Sequence, residues 1–204
     1  MNDPRDIAGQ AFIVTGAARG IGLAISTRFH ELGARVSGWD LDVSTMQENP
    51  VFADSQAVDV SDEAQTEAGF AASLHALGDI DGVIANAGIN GPTKPMWDYS
   101  LTEWQTVMSV DLTGVFLTVK SVIDHLRARQ RGRIIIISSV AGKEGNPGAV
   151  PYGAPKAGVI GLAKGLAREV LPSDITVNAI APSIAVTDLL DGICLLYTSD
   201  AADE

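Results

Sequence analysis

Ile134, Ile135, Ile136 and Ile137 stand in unbroken succession. Neighbouring side chains of a strand point to opposite faces, so this segment needs apolar cover on both sides. A parallel sheet sandwiched between helices supplies that cover, and the rest of the chain supplies the parts. Short β-rich runs at residues 11–15, 35–39, 56–58, 82–85, 133–138 and 175–179 alternate with longer stretches of helical period. The expected fold is α/β, a doubly wound parallel sheet in a single domain with right-handed crossovers. Residues 41–55, interrupted by Pro50, leave room for one or two turns only.

Composition narrows the partners. With 46% apolar residues the chain can bury one sizeable core, and its formal charge of −11 disfavours nucleic acid and anionic membranes. A small-molecule substrate fits better. No apolar run approaches the roughly 20 residues that span a bilayer, and Met1 to Asp6 lack a signal core, which points to a cytoplasmic protein. Cys194 is the only cysteine, so no internal disulfide or cysteine metal cluster can form. His30, His75 and His125 are far apart in polar helical stretches and read as solvated surface residues, so no metal is expected.

The first strand runs into Thr15-Gly16-Ala17-Ala18-Arg19-Gly20-Ile21-Gly22, followed by an amphipathic helix that stops at Gly33. Glycines let the backbone approach a ligand closely, and the free N–H groups of a helix start favour a pyrophosphate. Gly16, Gly20 and Gly22 are the candidates for that work, as in a Rossmann-like fold. The second strand ends at Asp40, placed to accept from the adenosine ribose hydroxyls and to repel a 2′-phosphate, which favours NAD over NADP. Arg19 pulls the other way, since a guanidinium can pair with a 2′-phosphate.

Tyr152-Gly153-Ala154-Pro155-Lys156 opens a helix expected to reach about Leu171. A spacing of four puts the tyrosine and lysine on one face. An ammonium about 4 Å from the phenol oxygen would attract the phenolate by roughly 4 kcal/mol at an effective dielectric near 20, suiting an acid/base catalyst. Pro155 is tolerable if it falls among the first four residues, whose N–H groups are unpaired anyway. Ser138 and Ser139 close the long apolar strand at its carboxyl end, where ligand sites of open α/β sheets gather, and Ser139 can donate to a substrate carbonyl.

Glycine loop, Asn86-Ala87-Gly88 after the fourth strand, serine, and Tyr-x-x-x-Lys occur in the order that resembles the short-chain dehydrogenase/reductase family, over residues 6–193. The resemblance implies an NAD(P)-dependent enzyme interconverting an alcohol and a ketone, with Tyr152 as general acid/base, Lys156 assisting it and holding the ribose, and Ser139 positioning the carbonyl. It implies cofactor contacts at Ile21, Leu41, Asp59, Val60, Asn86, Ala87, Gly88, Pro182, Ser183, Ile184 and Thr187, and a homodimer or homotetramer built on helices around residues 103–129 and 152–171. Asp111 stands where the family usually has an asparagine that supports a relay water, and Ser183 where it commonly has glycine. Residues 88–99 and 142–147 resemble members acting on sugar acids; the scaffold also resembles members reducing 3-oxoacyl groups on acyl carrier protein. A non-catalytic dinucleotide-binding module would not need Ser139, Tyr152 and Lys156.

From Cys194 the text Cys-Leu-Leu-Tyr-Thr-Ser-Asp-Ala-Ala-Asp-Glu leaves the β/α rhythm and resembles a translated sequencing adapter. The expectation is a dinucleotide-binding domain over residues 1–193, lacking its final strand and substrate-lid helix, and a non-native tail at 194–204.

Overall fold

The structure, a computed structural model, describes residues 6–183. Ile184, Thr187, Cys194 and the tail, which carry several of the sequence expectations, lie outside the described residues. Six strands, β1 (Ala11–Thr15), β2 (Arg35–Asp40), β3 (Asp54–Ala57), β4 (Gly82–Ala85), β5 (Arg131–Ile137) and β6 (Asp174–Ile180), form one wholly parallel sheet in the order β3-β2-β1-β4-β5-β6. The order reverses between β1 and β4, the switch point where such sheets open a crevice at their carboxyl ends.

The isoleucine run behaves as its chemistry demands. Ile134 and Ile136 are fully buried on one face, beneath α2 (Glu63–Leu77), α4 (Val115–Arg129) and α6 (Val150–Glu169). Ile135 and Ile137 pack on the opposite face, in the cluster that α1 (Gly20–Glu31) shares with Met46 and Phe52. Residues 41–53 fold as turns, and Met46 and Phe52 close over Gly38, where a Cβ would fall 2.7 Å from the Phe52 ring. β6 alternates buried and exposed positions and is an edge of the sheet among the described residues.

Helix ends follow local rules. The Asp62 side chain caps α2 by accepting from Gln65 N, and Gly78 ends it in the left-handed conformation at φ 75°. α3 (Leu101–Met108) starts with a capping box between Ser100 and Glu103. A wide π turn, Ser109–Gly114, joins it to α4, so that Leu101–Arg129 is one continuous helical segment of 29 residues. By length and composition that segment could cross a membrane, which the sequence reading did not foresee. Its contacts are those of a core helix: it packs against β4, β5, α2 and α6, with a buried carboxylate, Asp111, at its middle.

Two local expectations need correcting. α6 begins at Val150, so Pro155 is its sixth residue and removes the bond to the Pro151 carbonyl instead of falling in the unpaired first turn. His125 is not simply solvated: its Nε2 lies 3.0 Å from Asp79 Oδ1 and its ring meets Phe70 edge-on at 5.8 Å.

Candidate active site

A cleft of about 380 Å³ opens at the carboxyl ends of the strands around the switch point. Gly16 and Gly20, with φ of 63° and 55°, form the turn from β1 to α1 and stand on the cleft wall with Arg19 and Ile21. Arg19 at the α1 N-cap provides no side-chain cap, so the first-turn N–H groups remain available to an anion. Gly22 has another task. It is buried behind the wall, and a Cβ there would stand 2.1 Å from the Gly16 carbonyl oxygen. Its absent side chain lets α1 start directly against the turn, a packing task beside the N–H that it adds to the first turn of α1.

The turn is held from the β4 side. Asn86 Nδ2 donates to the carbonyls of Thr15 at 2.9 Å and Gly16 at 3.3 Å, while Thr15 Oγ1 accepts from the N–H of Asn86 and of Ala87, both at 3.0 Å. Asn86, Ala87 and Gly88 also line the cleft. Thr15 was missed as a site residue; a polar group ending an otherwise apolar strand was the available signal.

At the far end of β2, Asp40 accepts from Ala18 N at 3.0 Å through Oδ2 and from Leu41 N at 2.8 Å through Oδ1. A carboxylate has about four acceptor positions, so both oxygens keep capacity for hydroxyl donors. Leu41, Asp59 and Val60 border the same end, and Asp59 Oδ1 is held by the Ser61 N–H and hydroxyl at 2.9 and 2.7 Å.

The other end gathers Ser139, Tyr152, Lys156, Pro182 and Ser183. β5 stops at Ile137, and the two serines beyond it divide their duties. Ser138 is buried and donates to the Lys156 carbonyl at 2.6 Å, tying β5 to α6, while Ser139 Oγ faces the cleft and accepts from Ala141 N at 3.2 Å. That leaves the Ser139 hydroxyl proton for another acceptor. A Cβ at Gly142 would meet the Lys156 carbonyl carbon at 2.5 Å, so this glycine lets α5 (Ala141–Glu144) press against α6.

Lys156 is the main departure from the simple Tyr/Lys picture. Its Nζ lies 5.5 Å from the Tyr152 ring centroid, donates to the Ile137 carbonyl at 3.2 Å, and sits 3.3 Å from Asp111 Oδ2. The ammonium is therefore buried and shared rather than devoted to the phenol. Asp111 does not line the cleft. It is fully buried behind Gly88, with Oδ1 accepting from Ile89 N at 2.8 Å. Burial pushes its carboxyl above the usual range, and the nearby Lys156 charge and the Ile89 N–H offset this only in part.

Asn90 and Asn146 complete the wall from two loops clamped together. Lys94 N donates to the Gly148 carbonyl at 2.9 Å, and the Tyr99 hydroxyl reaches the same carbonyl at 2.8 Å and also approaches that of Pro92. Lys94 Nζ binds both Glu103 oxygens at 2.7 and 2.8 Å. Lys94 and the Ser100 N–H hold the Glu103 carboxyl down to about 2.

A switch-point cleft with a glycine turn at one end and a buried lysine beside a tyrosine at the other defines a dinucleotide-binding α/β domain. The sequence matches the family described as short chain dehydrogenase over residues 10–194. It is 38% identical over 187 residues to the 2-dehydro-3-deoxy-L-rhamnonate dehydrogenase (NAD(+)) of Sphingomonas sp. strain SKA58, covering 90% of this chain and 75% of that protein. It is 37% identical to the 3-oxoacyl-[acyl-carrier-protein] reductase of Vibrio cholerae, covering 90% and 77%. Among solved structures it superposes on NAD+-bound xylitol dehydrogenase with a TM-score of 0.84 at 31% identity, covering 88% of this chain and 72% of that one. The NADH complex of 3-ketoacyl-(acyl-carrier-protein) reductase from Brucella melitensis gives a TM-score of 0.87 at 27% identity, covering 91% and 80%. The chain belongs to the short-chain dehydrogenase family. It is an NAD(P)-dependent oxidoreductase that interconverts alcohols and ketones.

Proposed function

We propose that the protein is an NAD-linked dehydrogenase of a sugar acid or polyol, with Ser139, Tyr152 and Lys156 at its reaction centre. The observation that carries this reading is the convergence of these three side chains on the cleft that the glycine turn opens. The cleft fits a dinucleotide: Gly16, Gly20 and the uncapped start of α1 suit the pyrophosphate, and Asp40 suits the adenosine ribose. Asn86, Ala87, Gly88, Pro182 and Ser183 border the remainder. Bound nicotinamide supplies the hydride acceptor or donor.

Tyr152 takes the proton from the substrate hydroxyl in oxidation and returns it to the carbonyl oxygen in reduction. Ser139 donates to that same oxygen and orients the reacting carbon. Lys156, fixed by Ile137 and Asp111, supplies positive charge beside the Tyr152 ring and a donor for the nicotinamide ribose.

NAD preference is supported by Asp40, whose charge repels a 2′-phosphate, and by the NAD(+)-dependent Sphingomonas relative. A polyhydroxylated substrate is supported by that relative. Reduction of a 3-oxoacyl thioester is the second reading, supported by the Vibrio relative. A panel pairing sugar acids and polyols with NAD, and acetoacetyl thioesters with NADPH, separates them; thioester reduction without sugar-acid oxidation would reverse the order. We further propose a homodimer or homotetramer, supported by the exposed Phe116 on α4. Sedimentation measures the oligomeric state, and a monomer at micromolar concentration would contradict it.

A further inference from the structure

Asp111 is a carboxylate with 0% exposure, placed in the π turn between α3 and α4 and away from the cleft wall. One oxygen is satisfied by the Ile89 N–H. The other, Oδ2, has no hydrogen bond of good geometry, and faces the Lys156 ammonium at 3.3 Å. Gly88 makes this meeting possible: a Cβ there would press on Asp111 Oδ2 and on Lys156 Nζ, each at 3.1 Å. Both partners are out of water, with side-chain exposures of 0% for Asp111 and 4% for Lys156, so their interaction is little screened.

We infer that Asp111 is the counter-ion of Lys156, a positioning residue that sets how much of the lysine's positive charge reaches Tyr152. The inference rests on the reading of Tyr152 and Lys156 as reaction-centre groups. A cation alone beside the phenol favours its anion; a cation neutralised by a carboxylate does so less. Asp111 therefore lowers the field that Lys156 exerts at the hydroxyl while fixing the ammonium against Ile137. Other charges on the packed elements are engaged elsewhere. Glu103 of α3 pairs with Lys94, while on α4 Lys120 pairs with Glu63, Asp124 with Arg127, and His125 and Arg129 with Asp79. Asp59, next to the Val60 that packs on Gly114, bonds to Ser61. Lys164, Arg168 and Glu169 lie two turns or more beyond Lys156 on α6. Lys143 and Glu144 of α5 are exposed, and the charged group that Asp111 meets is Lys156, whose ammonium lies 5.5 Å from the Tyr152 ring centroid.

The test is Asp111→Asn, assayed for alcohol oxidation from pH 5 to 10, with NADH affinity measured alongside. The side chain keeps its shape and its acceptor for Ile89 but loses its charge. The acid-side inflection of the rate should move to lower pH by about one half to one pH unit, with NADH affinity unchanged within about twofold. An inflection that stays put, or moves upward, overturns the inference. A second measurement needs no turnover and covers a variant that does not fold: the Asp111 carboxyl is followed by carbon-13 NMR in the wild-type protein and in Lys156→Met. Removing the cation should raise its midpoint by at least about one pH unit, and an unchanged midpoint refutes the pairing. An inactive wild-type enzyme with a moved midpoint would refute the proposed function and leave the pair standing.

Discussion

A Cβ on Gly22 would stand 2.1 Å from the carbonyl oxygen of Gly16, closer than any two such atoms can approach. The obstacle is backbone, and Asn86 Nδ2, at 2.8 Å from the same position, closes the other side. Gly22→Ala must push α1 away from the turn that starts it. We expect a loss of about 1–3 kcal/mol in stability and at least a tenfold fall in NADH affinity, read by thermal unfolding and by fluorescence titration.

Asp40 is anchored by two backbone N–H groups, so its charge is held at the end of β2. Asp40→Asn keeps most of the shape and removes the repulsion toward a 2′-phosphate. The ratio of NADP to NAD affinity should rise about tenfold, equivalent to about 1.4 kcal/mol. Paired titrations with both reduced cofactors check this.

Tyr99 joins the loop carrying Asn90 to the loop carrying Asn146 through its hydroxyl at the Gly148 carbonyl, 2.8 Å away. Tyr99→Phe removes a bond of about 1 kcal/mol. The substrate KM should rise about fivefold while the dissociation constant for NADH stays constant, because the nucleotide end of the cleft is untouched. Steady-state kinetics and a cofactor titration separate the two.

Asp81 anchors the opposite end of the sheet, accepting from Ala11 N at 2.9 Å and facing Arg129 at 2.9 Å and Arg131 at 3.5 Å. Burial raises its carboxyl, but the Ala11 N–H and the two guanidinium groups outweigh that and hold it below the usual range. A depressed carboxyl stabilises the fold above its unfolded-state value, near 3.9, and that contribution disappears as pH falls through the lower folded value. Asp81→Asn should cost about 1 kcal/mol at pH 7, after screening at this partly exposed network, and progressively less below about pH 4. Denaturant unfolding at pH 7 and pH 3 measures the difference.

The architecture was legible because it rests on period and punctuation. Ile134–Ile137 demanded cover on both faces, and the strand centres came out where alternation put them; the ends differed by a few residues, as β5 begins at Arg131. Local spacing also placed Tyr152 and Lys156 on one side of α6 and the glycine turn on the cleft wall. What depends on distant partners was not. Gly22 looks like Gly16 and Gly20 in sequence, and only packing against the Gly16 carbonyl reveals its different task. Asp111 and Lys156 are 45 positions apart, and no local pattern announces that burial brings them to 3.3 Å. Thr15, Tyr99 and the Lys94–Glu103 clamp act through loops joined in space, which periodicity does not report.

The central claim is that Tyr152 moves the proton in an alcohol–ketone interconversion. Its most direct test is Tyr152→Phe, with kcat/KM measured for an accepted alcohol and the dissociation constant measured for NADH. The phenyl ring keeps its place on α6 and its contact with Lys156, and loses only the hydroxyl. We expect turnover to fall about a thousandfold, in line with the loss of a general acid/base, while cofactor affinity stays within about twofold. Turnover within tenfold of the wild-type value would contradict the account and leave a site that binds the dinucleotide without using Tyr152.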